Sequence, residues 1–401
     1  MRVLTTTMCY PTPQRPDQGV FVQRRTAALA RRFDMVVVSP QPWCPLLRRG
    51  PRGAAPEMVP AQPPVYYPRM FSIPVLGWAT DGWAYADALC RQARRLGPVD
   101  LIDAHFEYPD GVGACLAARR LGVPVVVTLR GKLVALAAKP GRRAQIKAML
   151  RRADALIAVS SSLATLAREV AGRDLPIDVI SNGIDSSVFH PVDRAAARAT
   201  LGWVADAAYV LCVGHYQRLK GFDRLLAAWP LVRAAAKNAR LVLVGSFRGE
   251  RGFQRRLQQM VVSGGLQNSV TLLGPADAAT LNLMYAAADV SVNASRSEGW
   301  CNAIAESLAV GTPVIATDVG GNREQIRTPE LGTIVPDGDI QALAAALVAG
   351  LSREWNHSQI AAHGAARTWD RVAREVGAVF ERAAQIAQAS MPQPAAAGGL
   401  P

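Results

Sequence analysis

Runs of consecutive aliphatic and β-branched residues recur along this chain, separated by stretches rich in Ala, Arg and Leu. Met35-Val36-Val37-Val38, Val125-Val126-Val127-Thr128-Leu129, Leu156-Ile157-Ala158-Val159, Val210-Leu211-Cys212-Val213 and Leu241-Val242-Leu243-Val244 are examples. A strand with one wet face alternates apolar and polar residues, whereas an unbroken apolar run is a strand covered on both faces. Strands of that kind, alternating with helical spacing such as Val20 to Arg32 and Gly113 to Leu121, predict doubly wound parallel sheets. The pattern pauses at Asn182-Gly183-Ile184-Asp185 and Phe189-His190-Pro191, which read as turn and linker, and then restarts. At 401 residues the chain exceeds one ordinary core. The expected α/β architecture is therefore two Rossmann-like domains, 1–190 and 191–369, facing across a cleft. A late helix at 370–388 is expected to pack back on the first domain, and an Ala/Pro/Gly tail at 389–401 to be disordered. Clefts between domains are the default place for a ligand.

Several function classes drop out early. No apolar stretch reaches the roughly 18 residues that span a bilayer. The N-terminus enters a strand pattern directly and has no signal-peptide form. The six cysteines are scattered without a Cys-x-x-Cys pair, which favours a reduced cytoplasmic protein and argues against a zinc site. The net charge of +14 is uneven: residues 1–190 hold 25 Lys and Arg against 14 Asp and Glu. A basic half suggests an anionic partner. No ribonucleoprotein or helix-turn-helix signal points to nucleic acid. An anionic membrane surface fits better, at about 1 kcal/mol per basic residue near lipid, although an Arg-rich composition alone gives the same total.

The most informative local string is Ser297-Glu298-Gly299-Trp300-Cys301-Asn302-Ala303-Ile304-Ala305-Glu306, followed by Gly311-Thr312-Pro313-Val314-Ile315-Ala316 and Asp318-Val319-Gly320-Gly321-Asn322-Arg323-Glu324. It reads as loop, short helix, tight turn, buried strand and second Gly loop. Such a unit offers backbone N–H groups at a helix N-terminus to a phosphate. It also sets a carboxylate one turn into the helix, where it can accept from two neighbouring hydroxyls such as those of a ribose. Spacing alone leaves open an ordinary α/β unit with one surface and one capping Glu.

The whole string resembles the Glu-x7-Glu signature of retaining GT-B glycosyltransferases of family 4. Further segments carry the resemblance along nearly the whole chain: Tyr10-Pro11-Thr12-Pro13 through Gly19-Val20-Phe21-Val22, and Asp103-Ala104-His105-Phe106-Glu107-Tyr108-Pro109-Asp110-Gly111, which look like a teichuronic-acid-type subgroup. Ser181-Asn182-Gly183-Ile184-Asp185 resembles the interdomain signature, and Gly214 through Lys220-Gly221-Phe222 the donor-phosphate motif. The resemblance implies transfer of a sugar from a UDP- or GDP-sugar to a hydroxyl of a glycan or lipid-linked acceptor in surface polysaccharide synthesis. It implies no metal and no cofactor, because cations and helix N-termini stabilise the leaving diphosphate. Lys220 and Arg218 would hold that diphosphate. Glu298 would contact the donor sugar, and Glu306 the ribose. Gly299, Trp300, Cys301 and Asn302 would offer N–H groups, Asn302 having a second reading as an N-cap. Gly19, lacking a Cβ, would let its backbone approach the diphosphate or simply serve a turn. His105 would face the cleft as a catalytic group, with a structural His as the alternative, and Asp17 would touch the acceptor.

The chain departs from the family pattern twice. His215 stands where the usual first Arg follows the strand Gly, and Arg130 replaces the His of a Thr-x-His-Gly pattern. Arginine cannot serve as a base, so Arg130 would bind an anionic group or the leaving phosphate. Asp337-Gly338-Asp339 has metal-binding spacing but reads as a turn. Lys139 to Arg152 is a basic run with interleaved apolar residues, suited to lying on the inner face of the plasma membrane or to packing with a solvated basic face. Tyr66, Tyr67, Phe71, Trp78 and Trp83 form an aromatic-rich stretch suited to a sugar, a lipid or ordinary packing. Two rival functions stand beside glycosyl transfer: a nucleotide-sugar epimerase on the same fold, and a catalytically weak binding scaffold.

Overall fold

Among the described residues, ten strands come from the first half of the chain: β1 (Arg2–Thr6), β2 (Asp34–Val38), β3 (Gln41–Trp43), β4 (Met58–Val59), β5 (Val65–Tyr66), β6 (Arg69–Phe71), β7 (Leu101–His105), β8 (Val125–Leu129), β9 (Ala155–Ala158) and β10 (Asp178–Val179). Six follow in the second: β11 (Ala208–Val213), β12 (Ala239–Val244), β13 (Val270–Leu273), β14 (Val290–Asn293), β15 (Val314–Thr317) and β16 (Gly332–Val335). The computed structural model describes residues 1–44, 58–59, 62–73, 77–246, 250 and 252–389. The expected disordered tail falls, beyond Ala389, outside the described residues.

The strands build two main sheets, ordered β10-β9-β8-β7-β1-β2-β5-β4 and β13-β12-β11-β14-β15-β16. All pairs in them are parallel except β4 with β5 at one edge. The apolar runs explain this. Every residue of β7 and of β8 is buried, as only strands covered on both faces can be. β3 and β6 make a separate two-stranded ribbon that pairs Trp43 with Phe71.

The chain divides into two compact units. Unit 1 comprises residues 1–181 and the last helix, Trp369–Ala389; unit 2 comprises residues 182–368. The linker-like motif belongs to unit 2: Ile184 and Phe189 are buried in its core, and the Ile184 N–H donates to the Arg367 carbonyl at 2.7 Å. The core of unit 1 takes Val3, Leu29, Leu101, Val126 and Ile157 from the sheet and first helix, and Trp369, Val372, Val376 and Phe380 from the last.

Helix starts follow capping chemistry. Ser160, Asp193, Asp277, Asp339 and Asn356 each accept an N–H of the first turn of their helices. Asp339 is thereby spent as a cap and Asp337 as the ion-pair partner of Arg224. The basic run forms helix Pro140–Arg152, whose Ile146, Met149 and Leu150 are buried. Its apolar face thus points into unit 1 and only its cationic face is outward. Among the described residues no helix is long and apolar enough to cross a membrane.

Candidate functional site

In an open α/β sheet, ligands bind outside the carboxyl ends of the strands, where chain order reverses between neighbours. In unit 2 that point lies between β11 and β14, since β11 pairs with β12 on one side and β14 on the other. The loops leaving β11, β14 and β15 carry Lys220, Glu298 and Gly320.

These loops are locked together. A short 3₁₀ turn, Arg218–Lys220, follows β11, and Gly221 at φ 69° starts helix Phe222–Ala235. A Cβ on Gly221 would lie 1.8 Å from the Ala294 carbonyl oxygen, and one on Gly320, at φ 52°, 1.8 Å from that of Glu298. Glycine is therefore required on both sides of the β14 loop. Arg296 closes the assembly: its guanidinium makes a bidentate pair with Asp223 at 2.8 and 2.9 Å, and its N–H donates to the Leu219 carbonyl.

Within this frame Lys220 Nζ donates to Glu298 Oε1 at 2.6 Å, and Ser295 Oγ donates to the same oxygen at 2.7 Å. Burial disfavours the Lys220 ammonium, but the Glu298 carboxylate outweighs burial and holds the amine above its ordinary value. Asn322 Nδ2 donates to Asn293 Oδ1 at 3.1 Å and to the Thr317 carbonyl at 3.0 Å, while Asn293 Nδ2 reaches Cys301 Sγ at 3.0 Å. Two buried polar atoms carried by the loops after β14 and β15, Trp300 Nε1 and Asn322 Oδ1, have no protein partner. Buried polar atoms are seldom left so.

Helix Asn302–Val310 begins one residue earlier than its capping reading requires. Cys301 occupies the N-cap, and Asn302 is the first helical residue. Its Oδ1 accepts instead from Asn182 Nδ2 at 2.9 Å, tying the Ser181-Asn182-Gly183 motif to the Glu-x7-Glu helix. Glu306 lies one turn in and accepts from the Tyr285 hydroxyl at 3.3 Å. Gly299 is buried in the same loop. His215 and Arg218 are exposed on the turn that carries Lys220. Among the described residues no three His, Cys, Asp or Glu side chains come together as a metal cage.

In unit 1 the reversal lies between β1 and β7. A buried polar chain crosses it. Arg25 donates to Asp103 Oδ1 at 2.9 Å and to Thr128 at 2.8 Å; Asp103 Oδ2 lies 3.1 Å from His105 Nε2; Arg130 Nη2 lies 2.9 Å from His105 Nδ1. Burial opposes ionisation of Asp103, yet Arg25 and His105 outweigh it and hold the carboxyl well below its ordinary range. Burial also pushes the His105 ring below its ordinary value, so it is neutral. Its Nδ1 accepts from Arg130, which leaves Nε2–H to donate to Asp103. His105 is fully buried with both ring nitrogens engaged, a placement that agrees with its alternative reading as a structural His. Arg130 is itself buried, stacks over Phe21 at 4.8 Å, and is lowered to about 9 by burial and by Arg25.

The Arg130 N–H donates to Glu107 Oε1 at 2.8 Å, while Glu107 Oε2 is buried without a partner. Burial raises Glu107 to about 7 and Asp110 to about 6. The room left by Gly19 is filled by the Cys9 carbonyl, 2.0 Å from where a Cβ would sit, so close loop packing already requires glycine there. Asp17 lies exposed in the preceding turn. Arg25, Arg296 and Asn293 were missed in the sequence. The available signal for Arg25 was a cation on the apolar face set by Val22, Thr26 and Leu29.

Two family descriptions match the chain: Glycosyltransferase Family 4 over residues 18–188 and Glycosyl transferases group 1 over residues 207–353. The D-inositol 3-phosphate glycosyltransferase of Jonesia denitrificans is 31% identical over 311 residues, covering 72% of this chain and 73% of that protein. Its namesake from Geodermatophilus obscurus is 32% identical over 321 residues, with 75% and 71% covered. The sucrose-phosphate synthase of Thermosynechococcus elongatus superposes with a TM-score of 0.81 at 23% identity, covering 97% of this chain and 100% of that one. Anabaena HepE, solved with UDP and glucose, superposes with a TM-score of 0.74 at 21% identity, covering 95% and 100%.

Proposed function

The chain belongs to the group 1, family 4 glycosyltransferases of the GT-B fold, and from that premise we propose that it transfers a sugar, with retention and without a metal, from a UDP- or GDP-sugar to an acceptor hydroxyl. The observation that carries this reading is the Lys220–Glu298 pair at the β11/β14 reversal, beside the start of helix Asn302–Val310. In the reaction the bond from the anomeric carbon to the diphosphate breaks as the acceptor oxygen forms its own bond to that carbon. Lys220 and Arg218 take up the charge that appears on the diphosphate, aided by N–H groups of Gly299 to Asn302. Glu298 holds the sugar, and Glu306 accepts from the ribose hydroxyls. The departing phosphate oxygen takes the acceptor proton on the same face of the sugar, so no protein base is needed. The nucleotide-sugar is a substrate, and no cofactor takes part.

On the acceptor side, unit 1 binds a glycan, lipid-linked at an anionic membrane surface, in surface polysaccharide synthesis. A second reading is favoured by Arg130 and Lys132, cations that follow β8. They suit a phosphorylated polyol, the kind of acceptor named for the inositol-phosphate relatives.

Both readings are tested by incubating purified protein with UDP- and GDP-sugars and either acceptor, and reading the product anomer by NMR. A retained anomer, with turnover undiminished in EDTA, is expected. An inverted product overturns the retaining mechanism. Loss in EDTA restored by Mn²⁺ or Mg²⁺ overturns the metal-free one. Donor binding without turnover on any acceptor favours the scaffold rival.

A further inference from the structure

Between residues 71 and 83 unit 1 leaves large apolar side chains in solvent: Phe71 is 48% exposed, Trp78 43% and Trp83 58%. Hydrogen bonds tie its described residues to one another. The Gly77 N–H donates to the Ile73 carbonyl at 2.7 Å, and Ser72 Oγ donates to Asp81 at 2.8 Å. Trp78 leans on the first turn of helix Pro140–Arg152: a Cβ on Gly141 would lie 2.3 Å from its ring, and Gln145 Nε2 donates to its carbonyl at 3.1 Å.

That helix contains no acidic residue. Its apolar side chains are spent on the core of unit 1, so what it adds beside Trp78 is positive charge. Lys139 and Arg143 are exposed, and Arg142 is half-buried over the Tyr108 ring at 5.6 Å. The apolar part of this surface comes from the segment around Trp78 and the cationic part from its neighbour.

Indole rings concentrate where water meets hydrocarbon, with one edge apolar and one polar. Cations beside them are drawn to anionic headgroups. Exposed aromatic rings along this stretch, with Trp78 set against a cationic helix, therefore match a bilayer that is apolar within and negative at its surface.

We propose that Phe71, Trp78 and Trp83, with Lys139, Arg142 and Arg143, form a docking surface for an anionic lipid bilayer. The inference rests on the reading that the acceptor is membrane-borne, and it assigns the contact to this composite surface. Docking is shallow and reversible.

The test uses the whole protein with vesicles of phosphatidylglycerol and phosphatidylcholine, against phosphatidylcholine alone. Wild type should co-sediment with the anionic vesicles at low salt and leave them as salt rises. Arg142→Glu with Arg143→Glu should lower partitioning about tenfold or more. Trp78→Ala with Trp83→Ala should do likewise and abolish quenching by brominated acyl chains, while UDP or GDP binding stays intact as the folding control. Wild type that ignores anionic vesicles overturns both the peripheral reading and this surface. Wild-type binding that both double variants retain overturns this surface and leaves the peripheral reading standing. Preference for a single-stranded oligonucleotide over vesicles also overturns it.

Discussion

Lys220 Nζ and Glu298 Oε1 meet at 2.6 Å across two loops 78 residues apart in sequence. The cation proposed for the leaving diphosphate is therefore already held by a carboxylate before any donor arrives. A bound diphosphate competes with Glu298 for Lys220, and a preorganised charge costs little reorganisation when the bond breaks. Lys220→Ala should lower kcat on the order of 10²-fold or more, and Arg218→Ala by a smaller, measurable factor. The assignment of the second cation to Arg218 is wrong if Arg218→Ala is silent while His215→Ala is damaging.

Glu306 projects from the helix that starts at Asn302, with Tyr285 as a hydrogen-bond donor. Removing the acceptor of a ribose hydroxyl should weaken nucleotide binding by roughly 10- to 100-fold, the range for a hydrogen bond to a charged group. Calorimetry with UDP and GDP on folded Glu306→Ala reads this directly, and unchanged affinity would count against the ribose role.

Gly320 touches no substrate in the proposed reaction, yet it fixes Glu298 from behind. An added Cβ at φ 52° would meet the Glu298 carbonyl at 1.8 Å. Gly320→Ala should therefore cut turnover by about tenfold or more and lower the thermal midpoint. Full turnover in this variant would show that the Glu298 loop tolerates displacement.

The buried carboxyl of Glu107 gives a pH signature. Burial raises it from 4.5 to about 7, with the Arg130 N–H, Lys132 and Asp110 as its polar neighbours. Between these values the folded chain keeps a proton that the unfolded chain has lost, so stability falls as pH rises from about 4.5 to about 7. Asp110 acts with the same sign between 3.8 and about 6. Glu107→Gln cannot ionise, so it should flatten the decline and exceed wild type at pH 8 by on the order of 1–3 kcal/mol. Thermal melts at pH 5.5 and 8 decide it: a variant that tracks wild type at both values removes Glu107 as the cause.

The strands and the loops that follow them were legible in the sequence because an unbroken apolar run such as Val125–Leu129 has few other homes. The Glu298–Glu306 spacing was legible because both residues lie in one loop-helix unit. Pairings between distant residues were not: nothing near Arg25 announces Asp103, and nothing near Arg296 announces Asp223. His105 shows the limit most clearly. A His after a strand end looks the same locally whether it meets a substrate or is clamped, and its contact with Arg130, 25 residues on, is visible only in the fold. Asn302 differs from its expected place by one residue, within the ordinary uncertainty of a helix boundary.

The last helix, Trp369–Ala389, completes the core of the first unit, so synthesis order and folding order part company. A ribosome that has released residues 1–181 has made a sheet whose Val3, Leu101 and Ile157 still await Trp369, Val376 and Phe380. Each such side chain contributes roughly 1.5–3 kcal/mol when buried. The nascent first unit therefore waits, partly uncovered, while the whole of the second emerges as one uninterrupted stretch and folds on its own schedule. Residues 182–368 are thus the portion suited to isolated expression, whereas a fragment ending at Ser181 would expose the surface on which chaperones act.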